Sequence, residues 1–316
     1  MADPSEVLYT VFEVLIAVLC CLGNALVIWA VWVSMPRREP TSCFVLSLAL
    51  ADFLVGAVSV PMSLFVDGRV HTSFQGCLVA CCMVMALPYS SVLALLAIAS
   101  DRFLRVCIPF RYKTLMTTRR SVGAVLLCWL LAGMLSITPM LPWSHKAFRA
   151  KAPVNSTDIV CRFTDVIPQA YLMYFNFFGI ILLPLLAMVI LYSGVFYILR
   201  RRLQDSLARH MEQQTYYLKE QALAKVLTLV LLLFVGCWLP LNVMNSITFF
   251  RGPDAVPIEL VYTGIFLTHA HSAINPLLYG FRIRRIRVTY LQLWNRVMSH
   301  PRGGLELTTS THPSNI

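Results

Sequence analysis

Two histidines lie within an otherwise apolar stretch, GIFLTHAHSAINPLLYG over residues 264–280. His269 and His271 are followed closely by Asn275 and Pro276. Imidazole and amide groups can donate and accept hydrogen bonds, and an imidazole can also gain a proton near neutral pH. Because ionisable groups are costly inside a membrane, such residues indicate a functional site.

Two carboxylates lie in apolar runs of the same kind, Glu13 in YTVFEVLIAVLCCLGN and Asp52 in SLALAD. Glu13 precedes Asn24 by about three helical turns, so both lie on the inward face of one helix. A buried carboxylate and a buried imidazole relieve each other's desolvation, so Glu13 is predicted to pair with His269. Asp52 could be a structural hydrogen-bond hub, or it could be a cation site or a switch between two helix packings.

These side chains need helices that cross a membrane. Of the 316 residues, 58% are hydrophobic and 13% are charged, whereas about a quarter of a soluble domain is charged. A helix needs roughly 20 apolar residues to cross about 30 Å of hydrocarbon, and the runs lack the alternation of a barrel. The pattern predicts an all-α, seven-transmembrane helix bundle. The predicted spans cover residues 8–33, 43–66, 76–100, 121–142, 171–199, 222–250 and 258–280.

One membrane domain, residues 1–298, holds these spans and ends in a short amphipathic helix over residues 282–298. Within that helix Ile286 and Tyr290 recur at helical spacing among arginines. This pattern is typical of a helix that lies on the cytoplasmic leaflet in contact with membrane lipid. Residues 299–316, rich in Pro, Gly, Ser and Thr, are predicted to form a disordered cytoplasmic tail.

The placement of positive charge indicates the orientation. The formal net charge is +11. Most of the lysines and arginines lie in residues 34–42, 101–120, 200–225 and 281–316, which belong to one side of the predicted bundle. The positive-inside rule then places the N-terminus outside and the C-terminus in the cytoplasm, as expected of a multi-pass protein of the plasma membrane. Basic residues that flank membrane spans argue against nucleic-acid binding.

Two other function classes are disfavoured by the sequence. It has no internal repeat of the kind that marks many transporters. It also shows no metal-ligand cluster and no arrangement of nucleophile and base, so no enzyme activity is predicted.

Two modifications are expected in the predicted outside loops. Cys77 begins the third span and Cys161 lies in the long second outside loop, on the side of a membrane where disulfides persist. The two are therefore predicted to form a disulfide. Asn155, followed by Ser156 and Thr157, is a glycosylation acceptor sequence.

Two predicted spans carry a proline beside a large or polar side chain. Pro240 follows Trp238 in CWLP, and Pro276 follows Asn275 in NPLLY. Proline removes a backbone hydrogen bond and kinks a helix. Both spans therefore suit hinge motion.

The motifs taken together resemble those of rhodopsin-like G-protein-coupled receptors. Asp101 and Arg102 alone could be an interfacial ion pair. In one chain, however, GNALVIW, SLALAD, DRF, CWLP and NPLLY occur in this order, and the resemblance covers residues 8–298. It implies a ligand site between the outer halves of the helices and a G-protein site at their inner ends. The residues implied in activation are Asp101, Arg102, Asn275, Pro276 and Tyr279.

The same resemblance implies an allosteric sodium ion near Asp52 and Ser91. His271 occupies a position where the family has an asparagine that lines the sodium pocket. An imidazole is bulkier than an amide and could become cationic beside Asp52. His271 is therefore expected to weaken the inhibition of agonist binding by sodium.

Several stretches resemble adenosine receptors more narrowly, among them THAHSAINP, CRF, YLMYFN and CWLPLNVMNSITFF. DRFLRVCIPFRYKTLMTTRR resembles the subtypes that couple to inhibitory G proteins and lower cyclic AMP. Val84 replaces the aspartate of amine receptors, and His269 replaces the lysine that binds retinal. The implied ligand-binding residues are Asn245 for the adenine edge, Phe163 for purine stacking, Leu241 and Ile265 for an apolar slot, Trp238 for its floor, Thr268 and His269 for the ribose, with Glu13 and Val84 nearby.

A few positions depart from this pattern. Pro88 replaces a threonine near the ribose end, Tyr89 follows where a smaller polar residue or histidine is expected, and Thr164 replaces a loop glutamate of several subtypes. Phe103 replaces the tyrosine that usually follows the Asp-Arg pair. The alternative is therefore a receptor of the same fold for another small neutral ligand. The short third outside loop resembles subtype three, and the tail helix resembles subtype one.

Overall fold

Seven long helices make up most of the described chain. The computed structural model describes residues 4–34, 39–141, 158–206, 211–282 and 284–298. Asn155 and the predicted tail lie outside these residues. The helices, numbered first to seventh, are Pro4–Ser34, Pro40–Leu54 continued to Phe65, Phe74–Cys107, Thr118–Ser136, Tyr171–Leu182 continued by Leu183–Ser206, Met211–Arg251 and Ile258–Arg282. The shorter helices are Pro109–Leu115, Phe163–Val166 and Arg284–Met298.

The helices are those of a membrane bundle, and the all-α, seven-helix prediction is confirmed. Six of them are long and apolar enough to cross a bilayer. The seventh has 25 residues, but His269, His271 and Asn275 lower its apolar character. A helix satisfies its own backbone polar groups, which is why it is stable in hydrocarbon.

The first helix exposes apolar side chains and buries polar ones, as expected of a helix surrounded by lipid. Leu15, Leu19 and Leu22 are exposed, whereas Glu13 and Asn24 are completely buried. Apolar side chains face lipid at no cost, and the polar ones turn inward to find partners. The inward placement predicted for Glu13 and Asn24 is confirmed.

A glycine permits the close approach of the first two helices. Gly56 lies in a π-helical segment, Val55–Ser59, within the second helix. A Cβ atom at Gly56 would lie 2.6 Å from Cys20 Cβ and 2.7 Å from the Ala17 carbonyl oxygen. Small residues at such crossings let helix backbones pack closely in membranes.

A two-stranded antiparallel sheet covers one end of the bundle, and the sequence analysis did not predict it. Strand Asp67–Ser73 pairs with strand Asp158–Arg162. A disulfide joins Cys77 to Cys161, so the predicted pairing is confirmed. The Phe163 amide, next along the chain, donates to the Val66 carbonyl at 2.9 Å. The sheet and the disulfide together position Phe163 over the helices.

Candidate functional site

A buried polar contact between a carboxyl group and an imidazole joins the first helix to the seventh. His269 Nδ1 lies 2.8 Å from Glu13 Oε2, and both side chains are almost fully buried. The pairing predicted from the sequence is therefore present. Glu13 Oε1 has no hydrogen-bond partner within the described part of the chain. The pair thus fixes the imidazole and leaves one strong acceptor atom available.

The sixth helix carries a polar face toward the bundle. Leu241, Asn242 and Asn245 follow Trp238 by three, four and seven residues, so they share one face. Trp238 is 8% exposed, and its indole Nε1 lacks a partner among the described residues. Asn245 is half-buried, and its amide makes no hydrogen bond to any residue the structure describes. This face therefore offers an indole donor and an amide that can donate and accept at once.

The seventh helix packs closely against this face. A Cβ atom at Gly264 would lie 3.2 Å from the Leu241 Cα atom. Ile265, the next residue, is half-buried. Thr268 is buried, and its hydroxyl donates to the Ile265 carbonyl at 2.6 Å. The oxygen of that hydroxyl keeps a lone pair with which it can accept a further hydrogen bond.

Two further predicted residues border this region. Phe163 and Val84 are both partly buried and pack against the main apolar core, which includes Trp238. The Val84 carbonyl accepts a hydrogen bond from the Ser59 hydroxyl at 3.1 Å. Phe163 and Val84 thus pack against the same apolar core as Trp238.

The third helix continues through Pro88, and Tyr89 points to the fifth helix. The Tyr89 hydroxyl donates to Asn176 Oδ1 at 2.9 Å. Asn176 Nδ2 donates to Asn242 Oδ1 at 3.2 Å, and Asn242 Nδ2 donates to the Trp238 carbonyl at 2.9 Å. Neither Asn176 nor Asn242 was predicted from the sequence as a site residue. Asn242 could have been found, because it follows Trp238 by four residues and precedes Asn245 by three.

Asp52 is the centre of a second polar cluster below Trp238. Its Oδ1 accepts from Ser91 at 2.9 Å and from Ser272 at 2.8 Å, and its Oδ2 accepts from Asn275 at 2.8 Å. Asn24 donates to the Ser272 carbonyl at 3.0 Å. Both sequence-based interpretations agree with this arrangement, since a carboxylate with these contacts is a hub whether or not a cation binds.

His271 is buried beside this cluster, but it makes no hydrogen bond to Asp52. Its ring contacts Phe234 edge to face, with 5.5 Å between the ring centroids. Both ring nitrogens are without a partner within the described residues. His271 therefore faces the sixth helix, and its expected effect on sodium stays a prediction.

At the opposite end of the bundle, Arg102 is held by its neighbours. Arg102 is 3% exposed and forms a 2.8 Å ion pair with Asp101. It also donates to the Thr41 hydroxyl. The Tyr112 hydroxyl donates to Asp101 Oδ1. Burial, and next the hydrogen bond to Asp101, raise the pKa of Tyr112, so this hydroxyl stays protonated and remains a donor.

Phe103, which follows the Asp-Arg pair, and two of the residues implied in activation, Pro276 and Tyr279, remain to be placed. Phe103 packs against Gly194 of the fifth helix, where a Cβ atom would lie 2.8 Å from the ring. An aromatic ring without a hydroxyl suits this apolar contact. Pro276 contacts Gly23, where a Cβ atom would lie 3.0 Å from the proline ring. Tyr279 lies in the seventh helix, and its side chain is outside the described part of the structure.

Comparisons with known proteins agree with this architecture. Residues 23–279 match the family described as "7 transmembrane receptor (rhodopsin family)". The adenosine receptor A3 of sheep, Ovis aries, is 39% identical over 306 residues, which cover 96% of this chain and 95% of that receptor. The chain belongs to the rhodopsin family of receptors.

Two more relatives place the chain within one branch of that family. The adenosine receptor A3 of the dog, Canis lupus familiaris, is 37% identical and covers 93% of both chains. The adenosine receptor A3 of cattle, Bos taurus, is 39% identical and covers 91% of this chain and 89% of its own. The chain is thus a multi-pass membrane receptor of the adenosine-receptor branch, and that family is not one of enzymes.

Proposed function

We propose that this receptor binds adenosine or a related purine nucleoside between the sixth and seventh helices. One observation carries the proposal: the Asn245 amide is free of hydrogen bonds in the described chain and lies on the face that bears Trp238. An adenine edge presents a donor beside an acceptor, which a single carboxamide can match. Phe163, Leu241 and Ile265 supply the apolar surface that a small ligand needs.

The ribose hydroxyls would be recognised from the seventh helix. Thr268 and His269 lie side by side, and the imidazole is oriented by Glu13 at 2.8 Å. An oriented imidazole and a threonine oxygen can bind neighbouring hydroxyl groups. Val84, which has no charge, closes the opposite side without attracting a cation.

Ligand binding would favour one of two helix packings, which is a population shift. The agonist would contact both the sixth and seventh helices, which contain Pro240 and Pro276 as possible hinges. Movement of the inner end of the sixth helix would release Arg102 for contact with a G protein. The basic loops support an extracellular N-terminus, a cytoplasmic C-terminus and a plasma-membrane location. The short helix Arg284–Met298 would lie on the lipid of the inner leaflet.

The coupling that we propose is to inhibitory G proteins, with a fall in cyclic AMP. The test is a cyclic AMP assay in transfected cells, with adenosine and inosine applied separately. Adenosine should lower stimulated cyclic AMP, and pertussis toxin, which inactivates inhibitory G proteins, should abolish the effect. Cells that bind adenosine without this response would refute the coupling while leaving the ligand in place.

The Asn245→Ala substitution tests the ligand assignment. Loss of the paired donor and acceptor should lower the affinity for adenosine by at least about tenfold, because the polar groups of the adenine edge would then be left unpaired in the site. Asn295→Ala is the matched control, since Asn295 is exposed in the last helix. Pro88 and Tyr89 favour a second candidate, a receptor of the same fold for another small neutral ligand. A full adenosine response in the Asn245→Ala receptor would support that alternative.

The residues around Asp52 fit a sodium ion, and we propose that they hold one. Asp52, Ser91 and Ser272 supply oxygen atoms, and the buried Asn275 Oδ1 has no partner in the described chain. Oxygen ligands are those that hard cations prefer. A bound sodium ion would supply positive charge beside the Asp52 carboxylate.

His271 should weaken the effect of sodium on agonist affinity, since its ring occupies space beside this cluster and brings no oxygen. Agonist affinity is measured across a sodium titration in the receptor and in the His271→Asn variant. The variant should show the larger loss of affinity as sodium rises. Equal sodium responses in the two proteins would contradict the proposal.

A further inference from the structure

A set of polar contacts joins the outer ends of the first and seventh helices to the first strand of the small sheet, and we call it the Arg69 latch. Arg69 forms a 3.1 Å ion pair with Asp67 of the same strand. Its guanidinium also donates to the Thr10 hydroxyl at 2.8 Å and to the Glu6 carbonyl at 3.3 Å, both on the first helix. The Tyr262 hydroxyl of the seventh helix donates to the Asp67 carboxylate at 3.5 Å. The latch therefore consists of Arg69, Asp67, Thr10, Glu6 and Tyr262.

A glycine gives the strand the shape that the latch needs. Gly68 lies between Asp67 and Arg69 with a φ of 86°, a left-handed conformation that glycine adopts without strain. The pairing of the two strands is irregular at this point, between Asp67 and His71. A Cβ atom at Gly68 would lie 2.6 Å from Arg162 Nε. The backbone at Gly68 and its packing therefore set the positions from which the Asp67 and Arg69 side chains extend.

The strand that carries the latch also supports the proposed purine-stacking ring. Asp67 pairs with Arg162 in the sheet, and Arg162 directly precedes Phe163. The Phe163 amide donates to the carbonyl of Val66, the residue before Asp67, at 2.9 Å. Movement of the strand at Asp67 therefore moves the backbone that holds Phe163.

The seventh helix connects the latch to the proposed ribose-binding residues. Tyr262 precedes His269 by seven residues, close to two helical turns, so the two lie on the same face. The Tyr262 ring stacks on Tyr9 of the first helix, with 4.2 Å between the ring centroids. Tyr9 precedes Glu13 by about one turn, and Glu13 contacts His269 at 2.8 Å. The latch and the Glu13 contact therefore both hold the first helix against the seventh, the latch at the end that the sheet covers.

We propose that the Arg69 latch controls how fast a nucleoside enters and leaves its site, an inference that rests on the proposed nucleoside function. The bound nucleoside would lie between Phe163, which the strand supports, and the ribose-binding residues of the seventh helix. The latch joins these two parts, and none of its residues belongs to the proposed ligand contacts. Opening of the latch therefore separates the two parts and speeds both association and dissociation, while the affinity changes little.

Ionic strength should affect the latch. The Arg69 side chain is 36% exposed and the Asp67 side chain is 15% exposed, so water reaches the ion pair. Ion pairs that water reaches weaken as added salt screens them. Adenosine carries no net charge, so salt does not change its encounter rate through electrostatic steering. Both rate constants should therefore rise with salt, because the latch is open for a larger fraction of the time.

The test measures the binding of adenosine to the purified full-length receptor in detergent by surface plasmon resonance. N-methylglucamine chloride supplies the salt, because sodium would also act at the proposed site around Asp52. Both rate constants of the unmodified receptor should rise about threefold between about 20 and about 500 mM salt. The dissociation constant should change by less than about twofold, since the latch opens in the free and the bound receptor alike.

Two variants break the latch at different contacts. Asp67→Asn removes the ion pair, and Arg69→Gln removes the ion pair and weakens the bonds to the first helix. Both variants should bind and release adenosine about three- to fivefold faster at low salt, which is the size of effect that an exposed ion pair supplies. Both should also lose most of the dependence on salt. Arg69→Lys keeps the charge and should keep most of that dependence.

A matched control and a second measurement complete the experiment. Arg251→Gln is the control, because Arg251 is an exposed arginine at the end of the sixth helix, outside the latch. Its rates and their salt dependence should equal those of the unmodified receptor. Amide hydrogen exchange of residues 4–12 in the free receptor tests the latch without any ligand. Exchange there should be faster in Asp67→Asn and Arg69→Gln, because the first helix loses its outer contacts.

The outcomes separate the latch from the proposed function. If adenosine binds the unmodified receptor and both latch variants keep its rates and salt dependence, the latch does not control access and the inference fails. A loss of affinity without faster association would also overturn it, since Asp67 or Arg69 would then contact the ligand directly. Unchanged hydrogen exchange in the variants would mean that the latch does not hold the first helix, which contradicts the inference whether or not adenosine binds. If exchange rises as expected but adenosine does not bind the unmodified receptor, the proposed function fails and the control of ligand access fails with it.

Discussion

At the residue scale, the pair of Glu13 and His269 has the clearest physical consequence. Both side chains are almost fully buried, and they are joined at 2.8 Å. Two polar groups in a low-dielectric interior are stable only when each is the partner of the other. The pair therefore couples the fold of the first helix to the orientation of a proposed ribose ligand.

Substitutions at this pair should be non-additive. Glu13→Ala should cost about 1–3 kcal/mol of stability, because it leaves the imidazole unpaired in the interior. His269→Ala should have a similar cost, and the double variant should cost less than the sum. Thermal denaturation in detergent measures the stabilities. Glu13→Gln is the conservative control, since its amide can still meet the imidazole.

The double variant also provides the result that would contradict this prediction. Additive losses in the double variant would mean that the two side chains do not interact. The pair would then be a coincidence of packing, and the ribose role of His269 would lose its support.

At the scale of elements, the disulfide and the small sheet act together on Phe163. Cys161 lies two residues before Phe163, and the Phe163 amide is bonded to the end of the second helix at 2.9 Å. The disulfide and this backbone hydrogen bond therefore together set the position of the proposed purine-stacking ring. Loop residues are good ligand contacts only when a rigid scaffold holds them.

Replacement of Cys77 and Cys161 together by alanine tests this arrangement. Stability should fall by about 2–5 kcal/mol, as for other native disulfides. Adenosine affinity should fall at least about tenfold at temperatures where the protein is still folded, because an unrestrained Phe163 must be ordered on binding. Cys43→Ala, a change of a cysteine outside the disulfide, is the control. Unchanged affinity in the double variant would show that the sheet alone holds Phe163.

At the scale of the whole molecule, polar clusters follow one another from one end of the bundle to the other. The Glu13 pair and the hydrogen bonds that join Tyr89, Asn176 and Asn242 lie near the proposed ligand site, and the Asp52 cluster lies between them and Arg102. Arg102, Asp101 and Tyr112 form the cluster at the opposite end. Each cluster joins different helices, so a change in helix packing alters several of them together.

The cluster at the Arg102 end should restrain basal signalling. Tyr112→Phe removes one donor to Asp101 and leaves the ring in place. Basal nucleotide exchange on the G protein should rise several-fold, since the resting arrangement of Asp101 and Arg102 is weakened. Exchange is measured with receptor membranes and G protein in the absence of agonist. Tyr197→Phe, at an exposed position on the fifth helix, is the control; a silent Tyr112→Phe variant would place the restraint elsewhere.

Local sequence was enough to predict the helices and much of the site. Long apolar runs determine spanning helices, because hydrocarbon offers the backbone no other partners. Glu13 and Asn24 were predicted to face inward from helical periodicity alone. The disulfide and the Glu13 contact with His269 were predicted from location and charge, and the structure contains both. The ligand and G-protein roles of the site residues remain predictions.

Other features depended on contacts between distant segments. The sheet of Asp67–Ser73 and Asp158–Arg162 pairs two short segments that are far apart in the sequence, and the disulfide joins the second of them to the third helix. The hydrogen bond between Asn176 and Asn242 also joins distant segments, because it depends on how the fifth and sixth helices are rotated. His271 was expected beside Asp52, but only the structure shows that its ring contacts Phe234. Residues two apart on a helix point about 200° apart, but only the packing decides which neighbour each one meets.

The sequence by itself therefore determined which segments cross the membrane and which of their residues are too polar to face lipid. Only the tertiary structure decided how those polar residues are partnered. Burial follows from the free energy of transfer of each side chain, which is a local property. The hydrogen-bond partner of each residue depends on the rotation and register of the helices. These are determined by packing throughout the bundle.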